Sequence, residues 1–130
     1  MKVLQTGYQS MPTKKRYSIY VINLDPAVLK HRKFREANPH YDYESSKPCA
    51  YVGETELTPD ERFKEHKSGY RKPGIGKWHN TYAKNYGRWL CRKQFKKEND
   101  RGIGSKSKAK KLEAKKAAEL KDKGWAVWYN

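Results

Sequence analysis

The chain has 130 residues, enough for one domain with a modest core. Lys and Arg number 30 against 14 Asp and Glu, a formal charge of +16 that repels itself in a compact state and is expected to meet a polyanion. Ten Tyr, four Trp and three Phe exclude a wholly disordered polycation.

No long apolar run, secretory core or lipidation signal stands out, so nucleic acid rather than membrane is the expected partner, and a cytoplasmic location is expected. Cys49 and Cys91 are the only cysteines and form no Cys-x-x-Cys pair. Free thiols in a reducing compartment are the first expectation; a disulfide or a zinc site shared with histidine is the alternative.

In chain order, residues 1–15 lack periodicity and read as a flexible basic leader to a single domain over 16–130. Residues 17–24, Tyr-Ser-Ile-Tyr-Val-Ile-Asn-Leu, are aromatic and β-branched, which predicts a central strand covered on both faces. Asp25-Pro26 caps a basic helix that carries Val28, Leu29 and Phe34 and stops at Asn38-Pro39. A polar loop follows, and then a second strand over 48–55. Thr58-Pro59-Asp60-Glu61 spells a capping box with acids at the positive end of the helix dipole, and Gly69 stops that helix. After a Gly/Pro loop at 70–77, a short helix is expected over 78–86. A third strand is expected over 88–95, with Trp89 and Cys91 on one face and Leu90 on the other. A charged loop over 96–104 leads to the longest helix, 105–123, closed by Gly124. The last segment, 125–129, is expected to dock on the sheet edge.

Five features carry chemistry. Arg62 and His66 lie four apart and share a helix face, either as solvated members of a basic helix or as a functional pair. Tyr20 and Tyr51 sit in strands and serve equally well as core aromatics. Glu113 falls among Ala109, Ala117 and Leu120, inside the apolar stripe of the last helix. A carboxylate there needs a salt bridge, with Arg62 as the natural partner, or a bound cation; Glu119 lies at the stripe's edge and reads as a surface charge. Lastly, residues 92–123 hold thirteen Lys or Arg against five acids, a net +8 that is half the total excess. That stretch reads as a solvated face or as a phosphate-tracking surface. Lys106 and Lys110 belong to it. Lys77, Lys84 and Arg88 interleave with Trp78, His79, Tyr82, Tyr86 and Trp89 as a candidate base-stacking platform.

Taken together, these residues resemble the GIY-YIG nuclease superfamily. Ser18-Ile19-Tyr20 is similar to its first triplet and Tyr51-Val52-Gly53 to its second; Arg62 and His66 follow in the family's spacing, and Glu113 matches its metal-binding glutamate. The resemblance implies an α+β fold, a three-stranded antiparallel sheet flanked by helices, with the extra basic helix inserted between the first two strands. It implies one divalent cation, Mg²⁺ or Mn²⁺, held by Glu113 and substrate phosphate. Tyr20 would act as general base or help activate the attacking water, and Tyr51 would support it by hydrogen bonding. Arg62 would stabilise the charge growing on the phosphate. His66 would orient or assist the nucleophile side. A tyrosine base needs nearby cations, since its ordinary pKa is about 10.

The sequence departs from the family pattern in three places. Ser18 replaces a glycine and Val52 an isoleucine. The segment between the triplets is long, and its basic helix is a candidate for substrate contact. An asparagine expected after the glutamate helix has only Asn130 as a candidate, because Asn80 and Asn99 precede that helix. Two functions follow as expectations: a metal-dependent endonuclease acting on DNA, or a non-catalytic module binding DNA or structured RNA on the same scaffold. No sequence-reading module is attached, so either weak intrinsic specificity or a targeting partner is expected, with a homodimer that cuts both strands as the other candidate partner.

Overall fold

The computed structural model describes residues 16–96 and 100–130. The expected leader at 1–15, and residues 97–99 of the charged loop, lie outside the described part. In chain order come β1 (Ser18–Leu24), α1 (Arg32–Glu36), β2 (Cys49–Thr55), α2 (Pro59–Ser68), β3 (Arg71–Lys72), β4 (Gly76–Lys77), α3 (Thr81–Tyr86), β5 (Gly87–Leu90), α4 (Lys106–Asp122) and β6 (Ala126–Tyr129). The architecture is α+β, as expected.

One mixed sheet of four strands runs β5-β1-β2-β6, with β3 and β4 as a separate hairpin. β1 pairs antiparallel with both β2 and β5, which gives the three antiparallel strands. The fourth is the segment expected to dock on the sheet edge: β6 runs parallel to β2, from Ala126 opposite Cys49 to Tyr129 opposite Val52. Gly124, at φ +94°, turns the chain out of α4, and the following segment then satisfies backbone groups that β2 would otherwise leave unpaired.

The sheet is covered on both faces, which explains the apolar character of both sides of β1. Ile19, Val21, Ala50, Val52 and Val127 face α4, where Ala109, Ala117 and Leu120 meet them. Tyr20, Ile22, Leu24, Cys49 and Tyr51 face the other layer, which includes Val28, Phe34 and Ala83. Both thiols are free, and burial pushes each up to about 11.

The helix expected over 25–38 is broken. A 3-10 turn, Pro26–Lys30, precedes α1, and His31 between them is extended. The reason is geometric: Val28 and Phe34 are both fully buried, yet at about 100° per residue one straight helix would turn them some 120° apart. The break lets both enter one core, and the Arg35 guanidinium donates to the carbonyls of Leu29 and Lys30 at 2.9 and 2.7 Å. This insertion therefore lines the core beside its basic surface. At its end Asn38, fully buried, accepts from the Val127 amide at 2.7 Å and donates to the Val127 carbonyl at 3.0 Å.

The third strand is shorter than expected. It ends at Leu90, and a 3-10 turn over Arg92–Gln94 folds Phe95 back against both halves of the core. Trp89 does not share a buried face with Cys91; it is half exposed, under the Arg88 guanidinium. The short helix begins at Thr81 rather than at 78, because the Asn80 side chain caps it on the Ala83 amide. Among the described residues no helix is long and apolar enough to cross a membrane.

Candidate active site

The strand register brings the two tyrosines together. Tyr20 stands opposite Gly53 and Ile22 opposite Tyr51, so both phenols rise from the same face of neighbouring strands with ring centroids 6.1 Å apart. Gly53 is required here: a Cβ at that position would collide with the Tyr20 ring and hydroxyl. The second triplet thus owes its glycine to close packing against the tyrosine of the first.

α2 supplies the next pair. Its capping box is formed in full, with the Glu61 amide donating to Thr58 Oγ1 at 3.1 Å and the Thr58 amide to Glu61 Oε1 at 2.9 Å. That fixed start sets the helix rotation and points Arg62 and His66 inward. His66 is completely buried, not solvated. The Asn80 amide donates to its Nδ1 at 2.9 Å, so the ring proton sits on Nε2 and is donated to the Tyr20 hydroxyl oxygen at 2.8 Å. Burial, then the charges of Arg62 and His79, lower the pKa of His66 to about 3, so the imidazole is neutral. A neutral Nε2–H donor cannot take the Tyr20 proton; it favours the oxygen carrying negative charge.

Arg62 is drawn toward the cavity wall. Its guanidinium donates to the Trp78 carbonyl at 2.6 Å, pairs with Glu65 at 3.0 Å, and lies 5.0 Å from the Trp78 ring centre. The expected salt bridge to Glu113 is therefore not formed. Burial raises the Tyr20 phenol well above its ordinary pKa, the neighbouring Tyr51 raises it further, and Arg62 only partly opposes them. Tyr51 is raised in the same way, by burial first and then by the Glu113 charge. Both phenols hold their protons at neutral pH unless further positive charge arrives.

Glu113 reaches this group through a gap in the sheet. β6 stops opposite Val52, so among the described residues Gly53–Thr55 of β2 have no strand neighbour on that edge. There, side chains from the α4 face meet the tyrosines of the opposite face. Glu113 is only 2% exposed, and its carboxylate meets Lys110 at 3.4 Å. Burial raises its pKa to about 7; Lys110 lowers it and Glu54 raises it. Glu54 was not anticipated. Its side chain is buried and binds Lys106 at 3.0 Å and Lys110 at 3.6 Å, so Lys110 serves two carboxylates. The signal for it was the period of two along β2, which puts residues 50, 52 and 54 on the α4 side.

Tyr20, Tyr51, Arg62 and Glu113 all line one cavity of about 340 Å³, with Lys106 and Lys110 at its edge and His66 hydrogen-bonded to Tyr20. Asn130 lines it too and donates to the Tyr51 hydroxyl at 2.8 Å. Of the other expected contacts, Lys77 lines a second cavity next door, while Lys84 and Arg88 line neither. The aromatic platform is divided: Trp78, His79 and Tyr82 line the second cavity, Tyr86 packs on His31, and Trp89 stands apart on β5.

Among the described residues no three His, Cys, Asp or Glu side chains gather as a metal site. The donors that do converge, Glu113 and Glu54, are carboxylates, which suit a hard cation that keeps waters and takes its remaining ligands from phosphate. No family model, curated protein or solved structure matches the chain.

Proposed function

We propose that this chain is a GIY-YIG-type endonuclease, a metal-dependent hydrolase of phosphodiester bonds in DNA. One observation carries the reading: a buried carboxylate, Glu113, shares a cavity with two tyrosines and Arg62, inside a protein of charge +16. A module that only held phosphate would gain nothing from that carboxylate, which repels the ligand and is costly to bury. The resemblance of the two triplets and of the Arg, His and Glu positions to that family supports the same reading.

The chemistry follows from the residues. Arg62 faces the cavity as the fixed positive group for charge growing on the phosphate. Tyr20 orients the attacking water; with the charge of a bound cation nearby its phenol proton would pass to solvent, and the resulting phenolate, stabilised by the Nε2–H of His66, would take the proton of the attacking water. Tyr51, itself held by Asn130, supports Tyr20. Glu113, with Glu54 nearby, would hold Mg²⁺ or Mn²⁺, which when bound supplies Lewis-acid neutralisation of the leaving oxygen. Lys106 and Lys110 occupy the carboxylates otherwise and turn to phosphate when released.

The test is nicking of supercoiled plasmid in Mg²⁺ and in Mn²⁺. Wild type is expected to nick, and Glu113→Ala and Tyr20→Phe to lose nicking by on the order of a hundredfold or more while DNA binding persists. Full activity of the Glu113 variant would sink the metal assignment. The second reading, a non-catalytic nucleic-acid-binding module, is favoured by the lysine-paired carboxylates and the strongly protonated phenols. Plasmid left intact by wild type in both metals at every salt concentration, with binding retained, decides for it.

A further inference from the structure

Beside the catalytic cavity lies a second one of about 480 Å³, and the two share Arg62, Trp78 and Asn130 as a common wall. A group held in one is therefore the immediate neighbour of a group held in the other. The second cavity is aromatic where the first is charged. Trp128, from β6, has Phe34 stacked on one face at 6.4 Å and 19°. Tyr82 is nearly equidistant from Phe34 and Trp128, at 5.5 and 5.1 Å, and stands almost perpendicular to both. Tyr82 thus packs edge-on against the pair, and Tyr82 and Trp128 both line the second cavity. Trp78 lines the same cavity, with Arg62 at 5.0 Å and Lys72 at 4.3 Å from its ring centre. Lys77 stands at the lip, with its ammonium on Thr81 Oγ1 at 2.8 Å.

We propose that this recess takes a nucleobase, the one next to the phosphate bound in the catalytic cavity, and that the substrate is therefore a strand with an unpaired nucleotide beside the cut. The inference rests on the nuclease reading for the neighbouring phosphate. A base presents its flat face to an aromatic side chain without regard to sequence, and Trp78, Tyr82 and Trp128 supply such side chains on the lining of this recess. A base inside an intact duplex is stacked and cannot enter a recess; it must first leave the helix, and this is least costly where it is already unpaired. Perfect duplex is consequently the poorer ligand. The size suits a small planar group, since small-molecule sites occupy about 300–1,000 Å³.

Binding of the full chain to short labelled DNA, measured by anisotropy in EDTA at one fixed salt concentration, tests this without turnover. Three ligands are compared: a perfect duplex, the same duplex with one unpaired adenine, and the same duplex with an abasic residue at that position. The unpaired adenine is expected to bind on the order of tenfold more tightly than the abasic ligand and to quench tryptophan fluorescence, which the abasic ligand does not. Trp128→Leu is expected to remove both effects. Because Trp128 also packs on Phe34, the wild-type comparison of base against abasic ligand stands without the variant. Equal affinity for those two ligands overturns the recess. Nicking of plasmid with no preference for the base sinks the recess alone; a preference for the base without nicking in Mg²⁺ or Mn²⁺ supports the recess and sinks the nuclease reading alone.

Discussion

Glu113 carries opposite consequences for stability and for chemistry. Its carboxyl titrates near pH 7 in the folded chain and near 4.5 when unfolded, so between those values the folded state binds more protons. The stability this contributes is complete below pH 4.5 and lost as pH rises through 7. Glu113→Gln keeps the shape without the charge. At pH 8 it is expected to unfold at higher temperature than wild type, by on the order of 1–3 kcal/mol, with the difference vanishing near pH 4.5. Thermal melts across that range check it, and equal melting at pH 8 would mean that the carboxylate is not strained. At this scale the sequence was informative where a side chain breaks a pattern. Glu113 interrupts an apolar stripe, whereas Glu54 follows a strand without contrast and was overlooked. Lys116 was missed for a similar reason: it is buried on the α4 face against Asp100, at 3.3 Å, but reads as one lysine among many.

Helix ends were more legible than strand partners, because a cap is a local event. The capping box of α2 formed where the residues spelled it. Thr58→Ala is expected to destabilise the protein by about 1 kcal/mol. Because α2 holds Arg62 and His66, the same change should weaken nicking as well as lower the melting temperature; loss of stability alone would show that the cap does not set the site. Strand pairing is non-local and was read less well. Nothing within 125–129 states that it runs parallel to β2, and nothing within 25–38 states that two apolar residues six apart must enter one core. The gap that admits Glu113 is a product of that pairing, so most side chains of the candidate site, Glu54 excepted, could be read from the sequence while their route of assembly could not.

Across the whole molecule, the basic excess is what a polyanionic ligand would meet first. Lys106 and Lys110 stand at the cavity edge on α4, within the stretch that carries half the net charge. Affinity for DNA is expected to fall linearly on a logarithmic salt axis, and Lys106→Ala to reduce that slope by about 1. A slope unchanged by this substitution would assign Lys106 to Glu54 alone, with no phosphate of its own.

Asn38 has a consequence at the outer edge of the sheet. Its amide gives and takes both hydrogen bonds at Val127 that a neighbouring strand would make. At Val127 one side chain thus stands in for a fifth strand and occupies that part of the β6 edge. Asn38→Ala would open that edge to another copy of the chain, and self-association that rises with protein concentration, read by light scattering, is the expected result. A monomer at all concentrations would mean that charge repulsion alone keeps the copies apart.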